Sequence, residues 1–83
     1  MASLSEISRA RKSQLKSLLL ASRRLDAQQE ALEREVKRLV NRKQSVPELA
    51  DAQRLVKLAQ QVEAALSNMV TVISDVSSSW STT

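Results

Sequence analysis

The chain has 83 residues, no glycine, and a single proline at position 47. Glycine supplies the left-handed positions of tight β-turns and the backbone cradle of phosphate-binding loops. Its absence therefore disfavours hairpin-rich β structure and nucleotide-binding loops together. Long helices tolerate neither glycine nor proline well in their interiors, so a chain almost free of both is suited to helix with one interruption.

That interruption falls at Asn41-Arg42-Lys43-Gln44-Ser45-Val46-Pro47. Asn41, Arg42 and Lys43 suit a helix C-terminus, where cations meet the negative end of the dipole and asparagine tolerates a left-handed cap. Ser45-Val46-Pro47-Glu48 reads as a capping box with proline in the first turn, and Ser3-Leu4-Ser5-Glu6 opens the chain with the same S-x-x-E pattern. The predicted elements are a helix over 4–42, a turn at 43–46 and a helix over 46–77. A tail over 78–83, rich in Ser and Thr, is expected to fray.

Apolar spacing supports both helices. In the first, Leu4, Leu18, Leu25, Leu32 and Leu39 recur every seven residues with Arg11 at the missing step. Leu15 and Val36 sit at the complementary heptad position, which is otherwise Ser8, Ser22 and Gln29. In the second, Leu55, Ala59, Val62, Leu66, Met69, Ile73, Val76 and Trp80 alternate spacings of four and three. A short connector makes the helices antiparallel neighbours. The fold class is all-α: a single coiled-coil-like helical hairpin over 1–83. Folding at about residue 44 places Leu49 against Leu39, Leu55 against Leu32, Val62 against Leu25, Met69 against Leu18 or Leu19, and Ile73 against Leu15. It also carries Trp80 to the Leu4/Ile7 region and brings Ala52 and Ala59 close to Val36 and Gln29.

Two helices of this size bury little core, so completion by another protein or by self-association is expected. Leu15, Leu18, Leu19 and Leu20, with Met69, Val70, Val72 and Ile73 opposite, cover more than one heptad edge, whereas each helix of a hairpin hides only one stripe. The candidate partner-binding residues are Leu15, Leu19, Leu20, Val62, Leu66, Met69, Val70, Ile73 and Trp80. Trp80, the sole aromatic side chain, suits either an interface anchor or a cap on the open end of the hairpin.

The 13 Lys and Arg against 9 Asp and Glu are unevenly spread. Residues 1–43 hold eleven basic and five acidic side chains, and residues 44–83 hold two and four. A basic face of Arg9, Arg11, Lys12, Lys16 and Arg23 could meet phosphates. The lack of a recognition fold and of interleaved aromatics instead favours a solvated face, or one that meets an acidic protein, over nucleic acid or a membrane surface. No apolar run approaches a membrane span or the core of a signal peptide.

Cysteine and histidine are absent. No disulfide, thiolate, usual zinc set or Ser-His-Asp arrangement can be assembled, and the carboxylates lie mainly on outward helical positions. The expectation is a non-enzymatic protein with no cofactor, metal or catalytic residue.

Pro47-Glu48, a polar and small-residue stretch, and then Val62-Glu63-Ala64-Ala65-Leu66-Ser67-Asn68-Met69-Val70 resemble the small E-type co-chaperones of bacterial type III secretion needles. The resemblance covers residues 25–73. It implies a cytoplasmic protein that pairs with a larger helical-repeat chaperone and keeps the needle subunit from polymerising prematurely, with Val62, Leu66, Met69, Val70 and Ile73 as the residues carried over. The needle subunit itself, a hairpin of similar size, is a neighbouring possibility. A coiled-coil assembly subunit, such as a self-associating four-helix bundle, is the alternative from the structural class. A nucleic-acid or membrane-surface accessory protein is a third.

Overall fold

A computed structural model describes residues 3–43 and 46–81. Two helices, α1 (Leu4–Val40) and α2 (Leu49–Ser81), lie side by side in a rod of 67 × 16 × 12 Å. The all-α hairpin expected from the heptads is the fold observed.

Ser3 caps α1 by accepting a hydrogen bond from the Glu6 backbone N–H at 3.2 Å. Lys37 and Arg38 occupy the last turn, where cations are favoured. Asn41 stays in the right-handed region (φ −84°, ψ −3°) and donates its N–H to the Lys37 carbonyl at 3.0 Å, so α1 closes without the left-handed cap that asparagine could have supplied.

The start of α2 differs from expectation. The helix begins at Leu49 rather than at 46, and the Glu48 backbone N–H donates to Asp51 Oδ2 at 3.0 Å. Asp51 thus supplies the backward arm of the capping box one turn later than Ser45-x-x-Glu48 would place it. Ser45 lies outside the described residues. Arg42 also reaches Asp51, at 3.5 Å, joining the end of α1 to the first turn of α2.

At the other end α2 runs on to Ser81, four residues past the expected 77. Two contacts account for helix in a serine-rich segment. Ser81 Oγ donates to the Ser77 carbonyl at 2.7 Å, and Trp80 is tied to α1, so the last turn is held by tertiary contact rather than by propensity. Trp80 meets Gln14 and Arg11.

The seam follows a different heptad edge from the most apolar one. On α1 the half-buried or buried positions run Ile7, Arg11, Gln14, Leu18, Ala21, Leu25, Gln28, Leu32, Glu35, Leu39 and Arg42, with the small Ser22 and Ala31 beside them; on α2 they run Asp51, Leu55, Leu58, Val62, Ala65, Met69, Val72, Val76 and Trp80. With a at Leu18, Leu25 and Leu32 and at Leu55, Val62 and Met69, nearly all of these are heptad positions a and d; Trp80, at position e, turns into the seam at the end of α2. The expected complementary edge, Leu15 and Val36 on α1 with Ala59, Leu66 and Ile73 on α2, is position e, and all five residues are exposed. Leu15, Ile73, Leu49, Ala52 and Ala59 are all exposed, so the pairings expected of them are not buried in the seam. The a/d edge places small Ala21 and Ala65 between the helices, and Ala21 is the one buried side chain among the described residues, 3% exposed. It also lets the polar positions at both ends find partners, Gln14 with Trp80 and Arg42 with Asp51.

Candidate protein-interaction face

Each helix has two flanks beside its seam. One flank of α1, at Ser17, Arg24 and Arg38, lies beside one flank of α2, at Arg54, Gln61, Asn68 and Asp75. Shallow grooves are lined jointly by Arg24, Gln61 and Asn68 and by Ser17 and Asp75, while Arg38 and Arg54 converge on Glu35. All seven are at position g, and they make one face of the hairpin polar.

The opposite flanks, positions e and b, must then share the other face. On α2 they read Leu49, Ala52, Val56, Ala59, Glu63, Leu66, Val70, Ile73 and Ser77, a second run of alternating threes and fours beside the seam. On α1 the same face carries Leu15 and Leu19 toward one end and Val36 and Val40 toward the other, with Ser22, Asp26, Gln29 and Glu33 between. Leu15, Leu66 and Ile73 are 45–46% exposed and Val56 and Val70 are 55% exposed. A helix with two apolar heptad edges has two neighbours to satisfy, and the hairpin supplies α2 with one.

The structure sorts the sequence-predicted residues into groups. Leu15, Leu19, Leu66, Val70 and Ile73 lie on this open face. Val62, Met69 and Trp80 face the hairpin's own seam, so internal packing uses them. Leu20 is exposed at position c, on the side of the polar face, and does not join the others. Val56 and Val40 also belong to the open face, as do Leu49 and Val36, which the sequence places in the hairpin's own packing. The signal that could have found them is the second run of threes and fours beginning at Leu49.

The basic residues also divide. Arg9, Lys16 and Arg23 form a stripe at position f along the outer edge of α1, and Lys12 stands at position b. Arg11 lies at the seam with its guanidinium 5.0 Å from the centroid of the Trp80 ring. On the polar face Arg38 donates to both oxygens of Glu35, at 2.5 and 3.2 Å, and Arg54 stands at 3.9 Å. Hydrogen bonding from Arg38 is the main reason the Glu35 carboxyl is held below its ordinary range, with the positive charges of Arg38 and Arg54 adding to it.

Among the described residues no group of three or more His, Cys, Asp or Glu could hold a metal ion. Among the same residues no helix is long and apolar enough to cross a membrane. No family model matches the sequence, and no curated protein or solved structure is significantly similar to it.

Proposed function

We propose that this chain is a non-enzymatic protein-binding subunit that works by burying its e/b face against helical structure of a partner. One observation carries this reading: α2 has two apolar heptad edges and the hairpin covers only one. The area supports it. The chain exposes 6759 Å² for a mass of 9.2 kDa, whereas a compact monomer of that mass exposes roughly 4,900 Å². The surplus exceeds the roughly 800 Å² that each partner contributes to a standard interface.

The resemblance to E-type co-chaperones gives the reading its specific form, a cytoplasmic subunit that shields a type III secretion needle protein together with a larger helical-repeat chaperone. Leu66, Val70 and Ile73 would make that contact, while Val62 and Met69 would position them from the seam. Coexpression with a needle subunit and its helical-repeat chaperone tests it. A soluble complex with the native chain, lost on Val70→Asp with Ile73→Asp, is the expected outcome. A needle subunit that polymerises equally with and without this chain would refute the co-chaperone form. Undiminished binding by the double variant would refute the face.

A further inference from the structure

We infer that, in the isolated chain, the e/b face is covered by a second copy of the same hairpin, turned so that the two turns lie at opposite ends of an antiparallel four-helix bundle. This rests on the reading of the e/b face as the functional surface and adds its occupant and orientation.

Charge on α1 is what selects the occupant. From residue 9 to residue 24 the helix carries six cations and no anion; from 26 to 35 it carries four carboxylates and one cation. Lys12, Lys16 and Arg23 in the first stretch, and Asp26, Glu30 and Glu33 in the second, stand at positions b and f, on the face or at its α1 rim. The matching rim of α2, Gln53, Gln60, Ser67 and Ser74, bears no charge. A helix with its charges segregated in this way is complementary to an antiparallel copy of itself and repels a parallel one.

A two-fold axis near residue 25 of α1 sets Lys16 opposite Glu33 and Arg23 opposite Asp26 and Glu30 of the second copy, opposite-charge pairs that outnumber the like-charge approach of Lys12 to Lys37. The same axis brings Leu15 over Val36. The other two-fold stacking lays α1 on α2 with the turns together. It would face the lysines with uncharged glutamine and serine and set Asp26 beside Glu63. A two-fold interface of this kind uses one patch on both subunits.

The test uses sedimentation of the purified chain and of two charge variants, one with Lys16→Glu and Arg23→Glu, the other with Glu30→Lys and Glu33→Lys. The native chain is expected to dimerise. Each variant alone should associate at least about tenfold more weakly, and the two mixed should recover a heterodimer. Because these variants leave the apolar residues untouched, loss of folding does not confuse the readout, and far-UV circular dichroism checks it. Spin labels on Lys43→Cys should then lie about 50 Å apart across the dimer, the length of a helix of this size.

A native chain that stays monomeric overturns the second copy and leaves the face open to another protein. A dimer that survives Val70→Asp with Ile73→Asp overturns the face itself. Labels within about 20 Å, well under one helix length, overturn the antiparallel arrangement, as does a mixture of charge variants that associates no better than either alone.

Discussion

Trp80 Nε1–H donates to Gln14 Oε1 at 2.7 Å, joining residues 66 positions apart and fastening the last turn of α2 to α1. The indole also lies under the Arg11 guanidinium, 5.0 Å from its ring centroid, so one side chain engages two polar residues at an otherwise open end. An amide acceptor for the indole N–H and a cation over the ring are the two complements that tryptophan can use when half-buried.

Replacing Trp80 with Phe keeps a ring near Arg11 and removes the N–H. The hairpin should lose about 1 kcal/mol, the net value of one such hydrogen bond. Thermal melting followed by circular dichroism measures it. Gln14→Ala combined with Trp80→Phe should cost little more than either change alone. Fully additive losses would show that the bond is not made in solution.

Glu35 predicts an acid-sensitive contribution to stability. Its carboxyl is held below the ordinary range, first by hydrogen bonding from Arg38, so the folded state binds the proton less readily than the unfolded chain. The contribution is fully present above the unfolded value of about 4.3 and is lost as pH falls through the folded value. Arg38 stays ionised throughout this window. The native melting temperature should therefore fall on acidification below about pH 4.3, and Glu35→Gln should remove that component of the fall. Parallel profiles for the two proteins would exclude the link.

The seam makes a third prediction, by contrast between two leucines. Leu58 is half-buried at position d, and Leu20 is 59% exposed at position c. Leu58→Ala should destabilise the hairpin by about 1–2 kcal/mol, less than a full core truncation because the site is only half-buried. Leu20→Ser should change stability by no more than about 0.5 kcal/mol and leave association through the e/b face intact. Denaturant unfolding and sedimentation read the two effects separately. If Leu20→Ser dissociates the assembly, the face has been placed on the wrong side of α1.

What was legible in the sequence follows from local physics. Absent glycine, one proline, S-x-x-E at the start and a strict seven-residue recurrence of leucine at 18, 25, 32 and 39 each act over a turn or two, and together they specify two long helices and one reversal. The open belt was legible in part, because Leu15, Leu19, Leu66, Val70 and Ile73 are more apolar than a single seam requires.

The edge used for the seam was not legible. A residue three positions after a heptad leucine and one four positions after it are equally placed to flank it, and counting apolar side chains favours the fourth, with Leu15, Leu66 and Ile73. Tertiary structure favours the third, because Ala21 and Ala65 fit between the helices and Gln14, Glu35 and Arg42 there meet Trp80, Arg54 and Asp51 from the opposite strand of the hairpin. Those polar partners are 9 to 66 residues distant in sequence, beyond the reach of any local pattern. The choice turns Leu15 and Val36 on one helix and Leu66 and Ile73 on the other outward and, because the helices are antiparallel, onto the same face. Sequence alone determined that there is more apolar surface than a hairpin can hide; only the packing decided where that surface lies.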